Sequence, residues 1–274
     1  MSEKRKIIIF LSITFVFSFI LEFYVLFKGG LQELGNLRSV IIPALMWIPG
    51  VACLLVRGIT KDWKDLGLKL GKIKYHIIAL FAPLIISLFS FYICSLLDIR
   101  ILKLFDGMPL DKILLKLMTI LGFGIFCALG EELGWRGFLV PKIYKTNFKH
   151  PTLYSGLIWA AWHIPLVAFG GYYTGLSPLV VCILYTGLIL IINFFINWLR
   201  LLSGSLLVAV LAHAFYNYFF QSFWFGLLFR EPGKNEHLWN ILGGDVGLIG
   251  TTMFVLLSFT LWKQKPIKEV LDGR

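Results

Sequence analysis

Two adjacent carboxylates and an arginine stand in the run Gly130-Glu131-Glu132-Leu133-Gly134-Trp135-Arg136, at the end of a stretch otherwise fit for lipid. An ionised side chain within a bilayer costs about 2.5–3.5 kcal/mol even on insertion scales, so three together ask for a functional reason. On a helix Glu132 and Arg136 are four residues apart and share a face, whereas Glu131 is turned about 100° away from Glu132. A guanidinium offers a planar fork to a carboxylate, which makes Arg136 the natural partner of Glu132. An interfacial anchor, with Arg136 snorkelling to the headgroups, is the structural alternative for that pair. It leaves Glu131 unexplained, so Glu131 is the candidate for chemistry. Gly130, Gly134 and Gly137 flank the charges and let another backbone or a substrate come close.

Two further polar groups lie in apolar surroundings. In Trp159-Ala-Ala-Trp162-His163-Ile-Pro165, the Trp159 side chain precedes His163 by one turn on the same face and can hold the imidazole in place. A hydrogen-bonded structural histidine is the alternative. In His213-Ala-Phe-Tyr-Asn217, an imidazole and a carboxamide share a face at i and i+4. Such donors can stabilise the oxyanion of a tetrahedral intermediate, or serve as interhelical hydrogen bonds. Glu22, Asn193 and Asn197 read as interhelical hydrogen-bond partners, the two asparagines being one turn apart.

The elements that must carry these groups follow from composition. The 274 residues are 58% hydrophobic and only 15% charged, against about 25% charged in a soluble chain, and mean hydropathy is +0.81. Eight apolar runs approach the roughly 20 residues that cross a hydrocarbon core: 7–27, 39–56, 76–97, 113–134, 152–170, 179–198, 204–228 and 246–262. Pro43 and Pro49 interrupt the second, and Trp159, His163 and Pro165 make the fifth unusually polar. The fold class expected is all-α, a polytopic membrane bundle of about eight helices. Residues 1–274 read as a single integral membrane domain, with the core motifs roughly in 113–228.

The net charge of +11 is distributed as topology demands, not as nucleic-acid binding would require. Lys4, Arg5 and Lys6, the loop from Arg57 to Lys74, Lys142, Lys145 and Lys149, and Lys263, Lys265, Lys268 and Arg274 alternate with poorer loops carrying Lys28, Arg38, Arg100, Lys103, Lys112, Arg230 and Lys234. The positive-inside rule then puts both termini in the cytoplasm. A signal peptide is not indicated, because the first apolar stretch is too long and no small-residue cleavage site follows it. The loop from Arg57 to Tyr75 interleaves lysines with Trp63, Leu66, Leu68 and Leu70, and reads either as solvated or as lying along an anionic membrane surface. Cys53, Cys94, Cys127 and Cys182 fall in the spans without CxxC or metal-ligand spacing and read as small apolar fillers.

Glu131-Glu132-x-x-x-Arg136, Trp159-x-x-x-His163 and His213-x-x-x-Asn217 together resemble the signature of the CPBP (Abi) intramembrane endopeptidases, related to the type II CAAX prenyl proteases. Tryptophan replaces the family's phenylalanine at 159, keeping an aromatic packing residue. The resemblance implies peptide-bond hydrolysis in or at the edge of the membrane, on a membrane-embedded or lipidated protein or peptide. It implies Glu131 as general base on water aided by His163, His213 with Asn217 as oxyanion donors, and Glu132, Arg136 and Trp159 as support. Glu131, His163 and His213 also make an acceptable three-ligand zinc set, yet the HExxH spacing of zincins is missing. A metal-independent glutamate mechanism is favoured, with zinc as the cofactor to test. With the orientation above, all three residues are expected to face one cavity open to the cytoplasm. The rival is a non-proteolytic transporter, scaffold or immunity protein using the same polar cluster structurally; no inverted repeat supports a transporter.

Overall fold

A backbone in hydrocarbon must satisfy its own hydrogen bonds, so runs of apolar residues long enough to span lipid fold as helices. The computed structural model describes residues 1–102, 109–146, 148–171, 176–223, 229–235, 238–244 and 247–262. Its helices are α1 (Glu3–Phe27), α2 (Arg38–Thr60), α3 (Ile73–Leu96), α4 (Leu110–Gly134), α5 (Val140–Tyr144), α6 (Pro151–Phe169), α7 (Pro178–Ser203), α8 (Leu206–Asn217), α9 (Trp239–Leu242) and α10 (Leu248–Trp262). Six stretches are long and apolar enough to cross a membrane, α4 counting together with α5, and Leu206–Gln221 and Leu248–Leu261 are shorter apolar helices. The protein is a polytopic helical bundle of six to eight apolar helices.

Among the described residues the departure from all-helical structure is a short antiparallel pair, β1 (Arg100–Leu102) with β2 (Phe229–Pro232), which ties two loops together. The fourth span does not stop at Gly134. It continues through a π-helical turn, Trp135–Leu139, into α5, and a second π-helical segment, Tyr218–Phe223, extends α8. Such turns are rare and frequent at functional sites; these two directly follow the Glu-Glu and His-x-x-x-Asn motifs. Pro43, Pro49 and Pro165 all sit inside helices. Lys103, His237, residues 224–228 and the basic residues from Lys263 onward lie outside the described residues.

Alternating helices sort the connections to two ends of the bundle. At one end Lys6 and Lys142 both reach Asp62, at 2.5 and 2.6 Å, Lys145 pairs with Asp65, and Leu206 N donates to Gly67 O at 2.8 Å. This is the basic end. At the opposite end Leu31 N donates to Gly170 O at 3.0 Å and Asn235 Nδ2 to Leu97 O at 2.9 Å.

Close backbone approach fixes α4 in this frame. A Cβ on Gly130 would lie 2.8 Å from Met46 O, and one on Gly134 would lie 2.4 Å from the Pro49 ring. The glycines beside the charges thus admit the backbone of α2. In the loop at the basic end Leu66 is buried, whereas Trp63, Leu68 and Leu70 are exposed. Gly67 adopts φ +82° and a Cβ there would strike the Arg200 guanidinium, so this loop is packed against the bundle.

Candidate active site

Beneath the site lies a buried ionic layer. Arg136 is fully buried and donates from Nη1 to Glu132 Oε1 at 2.7 Å, from Nε to Asn197 Oδ1 at 3.0 Å and from Nη2 to Asn193 Oδ1 at 3.1 Å. Its guanidinium stands 4.2 Å from the centroid of the Trp159 ring, a cation–π contact that a dry interior strengthens. The asparagines pass the network to α6: Asn197 Nδ2 donates to Ser155 Oγ at 3.0 Å and Asn193 Nδ2 to Thr152 O at 2.8 Å. Glu132 and Arg136 are therefore paired, and both asparagines are interhelical hydrogen-bond partners. Snorkelling of Arg136 does not occur, because the π-helical turn directs it inward.

Lower still, Arg200 Nε donates to Arg136 O at 3.2 Å, and Arg57 Nη2 to Gly137 O at 2.5 Å. Arg57 Nη1 also binds the carbonyls of Asp62 and Lys64, at 2.5 and 2.8 Å. Asp62 lies outside the spans. Burial alone would raise its carboxyl, but the hydrogen bonds and charges of Lys142 and Lys6 outweigh that and hold it well below the usual carboxylate range.

Glu132 Oε1 also meets His213 Nδ1 at 2.8 Å. An ionised carboxylate only accepts, so Nδ1 carries the proton, and a neutral His213 keeps Nε2 as an acceptor. The sequence expectation of His213 as an oxyanion donor thus acquires a condition: the ring donates from Nε2 only when both ring nitrogens carry a hydrogen. His163 is set in the same way. Its Nδ1 lies 2.8 Å from Trp159 O, a carbonyl that can only accept, so the neutral ring presents the Nε2 lone pair. The backbone of Trp159 orients the imidazole, and the indole adds an edge contact at 5.6 Å between centroids.

Glu131 is 1% exposed and does have partners. Its Oε2 accepts from Trp159 Nε1 at 2.9 Å and from Trp135 Nε1 at 3.3 Å. Glu131 is thus not left free as the sequence reading has it, and residue 159, expected to pack and to hold the His163 ring, also supplies an N–H that phenylalanine lacks. Trp135 is missed by motif reasoning, although its i+4 spacing from Glu131 was the available signal. Glu131 Oε1 takes no hydrogen bond from the described residues.

Glu131, His163, His213 and Asn217 line one cavity of about 230 Å³. Asn193, Asn197, Glu132 and Arg136 do not line it. Among the described residues no three His, Cys, Asp or Glu side chains are grouped so as to hold a metal ion. Oε2 of Glu131 and Nδ1 of both histidines are held by protein partners, which leaves Oε1 of Glu131 and Nε2 of each histidine as the atoms that could face a ligand in the cavity.

The remaining lining comes from the half of the bundle away from the basic end: Glu22, Arg38, Met46, Leu166, Tyr185 and Gln221 among others, with Arg38 and Gln221 exposed. Below Glu131, by contrast, every residue from Gly134 to Ile143 is buried. The mouth and the basic loops thus occupy opposite ends. The buried ionic layer of Glu132 and Arg136 lies between the cavity and the basic end.

The family model for type II CAAX prenyl endopeptidase Rce1-like proteins matches residues 113–219, a stretch that holds every motif residue from Glu131 to Asn217. No curated protein matches the chain.

Proposed function

We propose, from the match of residues 113–219 to the family model of Rce1-like type II CAAX prenyl endopeptidases, that the chain is an intramembrane endopeptidase of glutamate type. The family is one of proteases within membranes, and the apolar helices make this chain a multi-pass membrane protein. The observation that carries the finer reading is the cavity onto which α4, α6 and α8 present Glu131, His163, His213 and Asn217 together.

In this reading a water in the cavity gives its proton to Glu131 Oε1 as its oxygen attacks the scissile carbonyl. The His163 Nε2 lone pair holds the second hydrogen of that water and orients it. The oxyanion formed accepts from the Asn217 carboxamide and from the His213 imidazolium. Collapse of the tetrahedral intermediate breaks the C–N bond, and the proton held by Glu131 passes to the departing amine. Glu132 and Arg136 keep the charge layer below in place, and the two indoles fix the Glu131 rotamer. No serine or cysteine nucleophile is required, and no step passes through a metal.

The substrate is a membrane-embedded or lipidated protein or peptide, as in CAAX-type or bacteriocin-type processing. The mouth and the basic loops lie at opposite ends, and with the basic loops read as cytoplasmic by the positive-inside rule our reading has the mouth on the far side of the membrane. That favours a substrate segment reached from the outer leaflet over a prenylated chain made in the cytoplasm.

Glu131→Gln keeps the volume and removes the base. In reconstituted vesicles the variant is expected to fold as wild type and lose at least about 100-fold in cleavage rate, the scale of a general base. Comparing membrane and secreted peptides between wild-type and Glu131→Gln strains identifies the substrate. Proteolysis at the wild-type rate would end the mechanism.

A further inference from the structure

Glu22 is 1% exposed, lies in the sixth turn of α1 and lines the same cavity as Glu131. Its Oε2 is buried without a hydrogen-bond partner, and no ion pair joins it to any described residue. One turn earlier Ser18 is taken by the Trp162 indole at 2.6 Å, and the cavity that Glu22 lines also carries the aliphatic side chains of Ile42, Leu45, Leu166 and Val167. The expectation of an interhelical hydrogen bond for Glu22 is therefore not met.

Leaving a polar group buried and unpaired costs about 1–3 kcal/mol, and more for a charged one. Unlike Glu131, whose oxygen is held by two indoles, Glu22 receives no hydrogen bond at Oε2 from the described residues that offsets this cost. The geometry points to Glu22 as a substrate-recognition residue that accepts a hydrogen bond from an N–H donor of the bound peptide, on the mouth side of the scissile bond. This rests on the protease reading of the site. Two sources supply such a donor, a backbone amide and a basic side chain. Arg38, which lines the same cavity at its rim, disfavours a second cation there, so the backbone amide is the donor we assign.

Three forms of the full-length protein in liposomes test this: wild type, Glu22→Gln and Glu22→Leu. The first measurement is thermal unfolding, which needs no substrate. Removing an unpaired buried carboxylate is expected to raise Tm in Glu22→Leu by about 2–4 °C; a fall in Tm makes Glu22 a structural residue and overturns the proposal. The second is cleavage of a randomised nonapeptide library read by mass spectrometry. Glu22→Leu is expected to lose about 10-fold in kcat/KM, carried by KM, and Glu22→Gln, which keeps an acceptor oxygen, to recover most of it with an unchanged cleavage profile.

Loss in Glu22→Gln as well, together with loss of a Lys or Arg preference that wild type shows, moves the donor to a basic side chain and overturns the backbone assignment. Wild-type kcat/KM in Glu22→Leu overturns the recognition role altogether. If wild type cleaves nothing while Glu131→Gln is equally silent, the protease reading fails, and the Tm comparison still decides whether Glu22 is held at a cost to stability.

Discussion

His213 Nδ1 and Glu132 Oε1 lie 2.8 Å apart across 81 residues of sequence, and the same oxygen holds Arg136 Nη1 at 2.7 Å. One carboxylate oxygen thus joins the ionic layer to the imidazole that faces the cavity. Glu132→Gln leaves Arg136, fully buried, without its counter-charge. Breaking such a pair costs about 3–5 kcal/mol. The variant is expected to unfold at markedly lower temperature in detergent and, assayed below its midpoint, to be slower as well, because His213 loses the group that holds its tautomer. A fall in Tm with the rate intact would confine Glu132 to the brace.

Trp159 offers a subtler separation. Trp159→Phe restores the residue of the family motif, keeps a ring under Arg136 and deletes only the N–H that Glu131 accepts. A hydrogen bond to a charged group contributes about 1.5–3 kcal/mol, part of which Trp135 retains by bonding the same oxygen. We expect a Tm loss of a few degrees and a several-fold fall in cleavage rate, with Trp135→Phe behaving similarly and the double variant worse than the sum. Additive losses in the double-mutant cycle would show that the two indoles act independently.

The spans were legible because lipid imposes one requirement along a whole helix: side chains stay apolar for about 20 residues, whichever face they present. The i, i+4 pairs were legible too, since Glu132 with Arg136 and Trp159 with His163 follow from helix geometry alone. What joins α1 and α5 to the loop after α2 was not. Asp62 meets Lys142 across 80 residues and Lys6 across 56, and a long-range ion pair leaves no periodicity to read. The same holds for Glu22, where the signal is the lack of a partner. The π-helical turn at Trp135–Leu139 likewise shares its local composition with an ordinary helix, so the span was expected to end at residue 134, whereas helical structure runs on to Tyr144.

Asp62 is the keystone of the basic end. Its carboxyl sits below the usual carboxylate range, so the stability it contributes is present above about pH 4 and is lost as pH falls towards its depressed folded value. Between pH 5 and 8 the Tm contribution of this group is expected to be flat. Asp62→Asn should remove it throughout, leaving Lys142, 1% exposed, with only Glu3 at 3.1 Å, at a cost of about 1–3 kcal/mol. The measurement is Tm against pH for both proteins; curves that stay parallel below pH 4 would mean that Asp62 is not the group that titrates.

Orientation follows from charge and is measured by labelling. The four cysteines among the described residues are wholly or partly buried, so a cysteine-free background is compatible with the fold. Into it go single cysteines at Lys28 and Arg38, exposed at the mouth end, and at Lys61 and Lys64, exposed at the basic end. With the basic loops inside, a membrane-impermeant maleimide added to intact cells should label Lys28→Cys and Arg38→Cys and reach Lys61→Cys and Lys64→Cys only after permeabilisation. Arg38 lines the cavity, so its label should also block cleavage, and blockage from outside the cell would place substrate entry there. The reverse pattern puts the mouth in the cytoplasm with the basic loops outside, and returns prenylated cytoplasmic chains to the front rank of substrates.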